Sequence, residues 1–383
     1  MNGINLVATA AFGLEAVVAR ELRNLGFQDL QVDNGRVLFP SDLAGIARAN
    51  LWLRSADRVQ LNMGEFEARS FDELFERTKA LPWEDWIPCQ GEFPVQGKSI
   101  KSQLHSVPDC QAIVKKAVVE RLKQKYKVQW FEETGPRYSI QVALLKDVAT
   151  LTIDTSGVGL HKRGYREGAG GAPIKETLAA SLVQLSHWQP GRLLLDPLCG
   201  SGTILIEAAL LGDNIAPGLT RRFAAEDWEL LGRDLWTKIR AEASAQIQDN
   251  PLELQGSDSD GGVLAQARAN ADNAGVGDKI HFQRRDLGEV RSSYKYGCII
   301  TNPPYGERLG DSARVKLLHR EMGRVFAPWD TWSIYVITSN QDFEREFGRQ
   351  ADKKRKLFNG RIQCDYYQFI GPPPPKFKEN DDE

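Results

Sequence analysis

The apolar positions along the chain change their spacing several times, and each change marks an element. "GINLVAT" alternates as a short strand. "FGLEAVVARELRNLGF" then places Leu14, Val17, Val18, Leu22 and Leu25 on one helical face. "LQVDNGRVLF" predicts a hairpin, because Asn34-Gly35 suits a tight turn with positive φ. "DLAGIARANLWLRSADRV" carries helical spacing again. These elements predict a small α+β unit over residues 1–63.

A second pattern covers 64–164. "SFDELFERTKALPWEDW" reads as a helix closed by Pro82, and "GEFPVQGKSI" as a strand. "DCQAIVKKAVVERLKQKY" predicts a helix, and "YSIQVALLKDVATLTIDT" a strand pair turning at Lys146-Asp147. "REGAGGAPIKE", with Gly168, Gly170 and Gly171, reads as a linker, and Pro173 suits the first turn of a helix through "IKETLAASLVQL". From there strand, turn and helix repeat, from "RLLLDPLCGSGTILIEAALL" to "RIQCDYYQFIG". That alternation predicts an α/β fold with a doubly wound, mostly parallel sheet over 165–372. The tail, 373–383, reads as disordered.

Composition narrows the picture. At 383 residues the chain suits two or three domains. Its net charge of −2 means that any basic surface must be local. No apolar run approaches the length of a membrane helix, and "MNGINLVATA" lacks the basic start of a secretory signal, so the expected location is cytoplasmic. Cys89, Cys110, Cys199, Cys298 and Cys364 are scattered, without Cys-x-x-Cys. The five histidines form no spaced cluster. No metal is expected.

Four stretches carry chemistry. In "LLLDPLCGSGT" an apolar strand ends at Asp196, and Gly200 and Gly202 open a helix, so backbone N–H groups can approach a ligand. The pattern is neither a complete dinucleotide fingerprint nor a Lys-bearing phosphate loop. In "QGSDSD", Asp258 fits an acid that holds ribose hydroxyls, with Asp260 as its rival. The gap from the glycine loop is far longer than the ~20 residues expected, so "LGDNIAPGLTRRFAAEDWELLGRDLWTKIRAEASAQIQ" reads as a helical insertion. A helix N-cap is the other reading of Asp258. In "FQRRDLGEV", Asp286 ends a strand on the ligand edge and suits an adenine amino group; a solvated strand-end acid is the competing reading. In "TNPPY", Asn302 offers a side-chain carbonyl and Pro303 a backbone carbonyl, two acceptors for the two hydrogens of an exocyclic amine. Tyr305 can stack on the base that carries the amine.

"DPLCGSGTILIEAA", "SDSD" and "NPPYGERL" resemble the S-adenosylmethionine-dependent amino-methyltransferases. With "HKRGYREGAGGAPIKETLAA" and "DKKRKLFNGRIQCDYYQF" the chain is most similar to the THUMP-domain RNA guanine-N2 methyltransferases, and among them to the 23S rRNA enzymes with a single methyltransferase domain. The resemblance implies a Rossmann-like methyltransferase preceded by a ferredoxin-like unit and a THUMP domain. It implies S-adenosylmethionine as cofactor, held by Asp196, Cys199, Gly200, Ser201, Gly202, Thr203, Asp258 and Asp286. It implies catalysis by Asn302, Pro303, Pro304 and Tyr305.

The implied partner is RNA, 23S rRNA or a large-subunit precursor. Lys98, Lys101, Lys115, Lys116 and Lys123 form one local basic excess, which by composition alone is equally a solvated helix face. Lys353, Lys354 and Arg355 form a second, expected beside the catalytic face, and Arg163 adds a cation at the domain joint. The rival substrates are tRNA guanine-N2 and adenine-N6. The rival of another class is an RNA-binding ribosome assembly factor with an idle fold.

Overall fold

The computed structural model describes residues 3–166, 174–305 and 311–375, with the backbone alone at 311 and 312. The expected glycine linker, Pro173, the residues that follow Tyr305 in its motif and most of the tail lie outside the described residues. The chain divides into two compact units. The first is Met1–Ala10, Val18–Lys162 and Pro217–Ala245; the second is Ala11–Val17, Arg163–Ala216 and Gln246–Glu383.

The elements of the first unit begin with β1 (Ile4–Ala10), α1 (Glu15–Asn24, whose first three residues belong to the second unit), β2 (Gln31–Asp33), β3 (Arg36–Ser41), α2 (Leu43–Trp52) and β4 (Ala56–Glu67). Then come α3 (Phe71–Lys79), β5 (Val95–Ile100), α4 (Val107–Tyr126), β6 (Ile140–Leu145) and β7 (Val148–Asp154). Gly35 turns the β2–β3 hairpin with φ of +77°. The helical spacing read through residue 59 ends earlier: α2 stops at Trp52, and "ADRV" opens β4. Asp42 caps α2 by accepting the Gly45 N–H at 2.8 Å. All seven strands form one sheet, ordered β2-β3-β1-β4-β7-β6-β5. The first four make the split βαβ order of a ferredoxin-like unit. β4 pairs antiparallel with β1 on one side and β7 on the other, so the limit expected at 63/64 falls inside a strand that both halves share.

The second unit holds α5 (Glu176–Leu185), β8 (Leu194–Asp196) and α6 (Thr203–Gly212). The inserted α7 (Arg233–Ser244) belongs to the first unit. β9 (Leu254–Asp258), α8 (Gly261–Asn273), β10 (Ile280–Arg284), β11 (Cys298–Thr301), α9 (Asp311–Phe326) and β12 (Ser333–Thr338) follow, then α10 (Phe343–Phe347), β13 (Lys353–Asn359) and β14 (Ile362–Phe369). The sheet order is β10-β9-β8-β11-β12-β14-β13. Pairings are parallel from β10 to β12, and β14 is antiparallel to both β12 and β13. β8 and β11 are neighbours though far apart in sequence. Their carboxyl ends form the switch point at which open α/β sheets bind ligands.

The insertion explains the long gap before Asp258. Within the first unit, Trp228 is buried, stacks on Tyr138 at 4.7 Å and donates its indole N–H to the Arg137 carbonyl at 3.0 Å. The Arg221 guanidinium donates to the Val158, Gly159 and Lys162 carbonyls. α7 packs on α2. The stretch is helical over α7, as its spacing predicts, yet it serves the N-terminal sheet.

Candidate active site

Asp196 ends β8 fully inside the protein, 2% exposed. It accepts a hydrogen bond from the Thr301 hydroxyl at 2.7 Å and one from the Leu198 N–H at 3.2 Å. Thr301 is the last residue of β11, so this bond ties the two ends of the switch point together. Burial pushes the Asp196 carboxyl up to about 7; the two hydrogen bonds oppose this, and the nearby Asp258 charge adds to it.

The loop after β8 is shaped by its glycines. Gly200 and Gly202 have φ of +53° and +79°, values that other residues rarely adopt. A side chain on Gly202 would meet the Phe282 ring at 3.0 Å, whereas the same position on Gly200 faces open space. The Cys199 N–H donates to the Ser257 carbonyl at 2.9 Å, and the Gly200 N–H to Asp258 Oδ2 at 3.1 Å. The loop is therefore fastened to the end of β9.

The two aspartates of "SDSD" divide their roles. Asp260 caps α8, accepting from the Gly262 and Val263 N–H groups at 2.8 and 3.4 Å. Asp258 does not cap the helix; it stands at the strand end and takes the Gly200 and Asp260 N–H groups on separate oxygens. Asp286 is exposed, two residues beyond β10, and lines neither cavity described next.

Two cavities meet at Asn302. One, of about 190 Å³, is lined by Asp196, Cys199, Gly200, Ser201, Thr203 and Asn302, with Arg166 and Gln266 opposite. The other, of about 610 Å³, is lined by Gly200, Asp258, Ser259, Asn302, Pro304, Arg314 and Leu318. The Asn302 side-chain oxygen is buried and has no hydrogen-bond partner among the described residues. Pro303 is buried and Pro304 exposed. Tyr305 is half-buried and packs against the buried cluster of the second unit, with its hydroxyl beside the Cys364 side chain. Burial pushes the Cys199 thiol far up, so it is no ready nucleophile.

Sequence reasoning missed Thr301 and Arg166. Thr301 hides in an apolar strand, with no signal beyond its place before Asn302. Arg166 reads as one more surface cation, yet its guanidinium donates to the Thr203 hydroxyl at 2.7 Å and to the Ile174 carbonyl at 3.2 Å inside the smaller cavity.

The basic residues divide. Lys98, Lys101, Lys116 and Lys353 are exposed. Lys123 is half-buried and lies 3.7 Å from Glu120. Lys115 sits 3.5 Å above the Phe93 ring centroid and bonds the Phe93 carbonyl and Glu133, which makes it an internal clip. Arg163 corrects the expectation of a phosphate contact: it is 3% exposed and paired with Glu207, which also accepts from the Tyr165 hydroxyl. A guanidinium so enclosed does not reach a phosphate. Lys353, Lys354 and Arg355 open β13, the edge strand, three strands from β11 and so ~14 Å across the sheet rather than beside Asn302. Lys354 is paired with Glu344 at 2.7 Å.

A mostly parallel sheet with this order and a glycine loop at its switch point define a class I methyltransferase. The family described as "RMKL-like, methyltransferase domain" matches residues 163–368, "RlmL ferredoxin-like domain" matches 5–60, and "THUMP domain" matches 68–154. The chain belongs to the RMKL-like methyltransferases, with a ferredoxin-like unit and a THUMP domain. It is 54% identical, over the full length of both chains, to a Bacillus subtilis (strain 168) protein named "Putative RNA methyltransferase YpsC". A Listeria monocytogenes structure titled "predicted N6-adenine-specific DNA methylase" shares 53% identity, covers 97% of each chain and superposes with a TM-score of 0.93. "SMU.472, a putative methyltransferase complexed with SAH" shares 48% identity over 98% of this chain and all of its own, with a TM-score of 0.93.

Proposed function

We propose that this RNA methyltransferase transfers the methyl group of S-adenosylmethionine to the exocyclic N2 amine of a guanosine in 23S rRNA, in the cytoplasm. The observation that carries the reading is the buried, unpartnered Asn302 oxygen at the junction of the two cavities. A buried acceptor without a donor costs roughly 1–3 kcal/mol, a cost that an amine donor would relieve.

The residues present fit the cofactor. Asp196 is a buried carboxylate suited to a cationic group, Gly200 leaves open space for close approach, and Asp258 can accept from ribose hydroxyls. When bound, the cofactor supplies a methyl on a sulfonium: the carbon–sulfur bond breaks as the nitrogen–carbon bond forms, and the amine proton leaves to water. Asn302 and Pro303 accept the two amine hydrogens and aim the nitrogen lone pair. Tyr305, packed on the core, offers its ring to the base, which must leave its stack to arrive. Lys98, Lys101 and Lys116 hold phosphates, positioning RNA without reading its sequence.

The clamp recognises an amine and not one base, which keeps adenine-N6 as a second reading. The test is methyl transfer from labelled cofactor to rRNA from cells lacking this gene, with nucleosides identified by mass spectrometry. N2-methylguanosine made by the wild type, and reduced at least ~100-fold in Asn302→Ala, is the expected result. N6-methyladenosine would promote the second reading. Product on tRNA alone would replace the substrate. Cofactor binding with no product on any RNA would move the protein to an assembly role.

A further inference from the structure

The hairpin of β13 and β14 rises on the ligand edge of the second unit. Thr301 is in register with Val336, Val336 with Tyr367, and Tyr367 with Lys354. β13 runs on to Asn359, so its tip stands ~16 Å beyond the level at which β11 ends. Tyr305 of the clamp motif packs on the core cluster to which Leu357 and Cys364 of this hairpin belong, with its hydroxyl beside Cys364. The hairpin and Tyr305 thus share one core.

Residues 11–17, although near the start of the chain, belong to this same unit. Their loop is clamped onto β13 from several directions. The Arg355 guanidinium donates to the Gly13 carbonyl at 3.1 Å. The Gly13 N–H donates to Glu15 at 2.8 Å, and a side chain on Gly13 would lie 2.6 Å from the Lys356 carbonyl. Only glycine allows that approach, and its φ is +89°. Leu14 and Val17 anchor the loop in the core. The clamping presents one side chain, Phe12, which is 51% exposed and meets Phe358 edge to face at 6.0 Å between centroids. Lys356 and Arg361 are exposed on the same hairpin. An exposed apolar ring alone needs no explanation. A ring held against Phe358 by a clamped backbone, on a hairpin that carries exposed cations and shares its core with Tyr305, has the chemistry of a surface for unpaired nucleic acid.

We propose that Phe12 stacks an unpaired nucleobase neighbouring the target in the incoming RNA strand, with Lys356 and Arg361 on its phosphates and Phe358 as the positioning residue beneath the ring. This rests on the RNA-methylation reading above. It assigns to residues near the start of the chain a part in substrate binding at the methyl-transfer unit.

The test compares the full-length wild type with Phe12→Ala, Phe12→Leu, Phe12→Trp and Phe358→Ala. KM and kcat are measured on rRNA, cofactor affinity by calorimetry, and binding of a fluorescent single-stranded oligoribonucleotide by anisotropy. Phe12→Ala and Phe12→Leu should each raise KM and the oligoribonucleotide Kd about 10-fold, leaving cofactor affinity and kcat within about two-fold. Phe12→Trp should restore binding, and Phe358→Ala should weaken it with Phe12 intact. Because leucine keeps the apolar bulk and lacks only the ring, wild-type binding by Phe12→Leu would overturn the proposal. So would loss of cofactor affinity alongside RNA affinity, which marks a structural role. A wild type that methylates RNA and is indifferent to Phe12 sinks the platform alone. A wild type that binds the oligoribonucleotide through Phe12 but methylates nothing sinks the function and leaves the platform.

Discussion

On the proposed reading, Asp196 couples ligand binding to pH. Buried and pushed up to about 7, it holds its proton at pH values where an unfolded aspartate has lost it. Its contribution to stability is therefore fully present below about pH 4 and is lost as pH rises towards about 7. A cationic ligand reverses that preference by favouring the carboxylate. Cofactor affinity should improve as pH rises from 6 to 8 and flatten above, as titration calorimetry at each pH would show. In Asp196→Asn the slope should vanish and affinity should fall about 10-fold or more; an unchanged slope would assign it to another group. The place of Asp196, ending β8 at the mouth of the glycine loop, was legible in the sequence because a carboxylate closing an apolar strand before glycines stands out. Thr301, which holds it, was not, since threonine is at home in any strand.

Elements were legible where their period was long and their punctuation chemical. The hairpin at Asn34-Gly35, the pair turning at Lys146-Asp147 and α4 stand where the pattern put them. β13 was missed because "DKKRKLFNG" reads as charge; an edge strand facing water carries lysines without losing its pairing. Behind β12, α9 and α10 are clipped by a polar contact that no motif announces. His319, fully buried, meets Glu346 at 2.8 Å, and Asn340 donates to the same carboxylate at 2.8 Å. Burial holds the His319 imidazole below its ordinary range, against the pull of Glu346. Its stabilising contribution is present above about pH 6.5 and drains away as pH falls. His319→Ala should cost about 2 kcal/mol or more in urea denaturation at pH 8. The difference from wild type should shrink towards pH 5; a constant difference would mean that packing alone is lost.

Across the whole molecule, the class of fold was legible and the allegiance of its parts was not. Composition cannot say that an insertion between a glycine loop and its acid folds with a different sheet, because that depends on Tyr138 and Arg137 offering a ring and a carbonyl far away in sequence. Trp228→Ala, in the insertion, should destabilise the first unit by about 3–5 kcal/mol. Hydrogen exchange should show faster opening of β6 and β7, while cofactor affinity stays within about two-fold. If the cofactor site weakened in step, the insertion would instead support the second unit.

The chain passes between its two units five times, at 10/11, 17/18, 162/163, 216/217 and 245/246. During synthesis this imposes a schedule. The N-terminal sheet has all its strands once Asp154 has emerged, but α7, which packs on α2 of the same unit, begins only at Arg233, about 80 residues later. At ~5–20 residues per second the ribosome leaves α2 waiting for roughly 4–16 s. Meanwhile β8 and α6, the start of the methyl-transfer unit, come out between them and have no neighbouring strand until β9 arrives. Neither half can be finished before the other is begun, so a nascent chain halted anywhere between 154 and 245 carries two incomplete folds, and translation speed across that window becomes a determinant of yield.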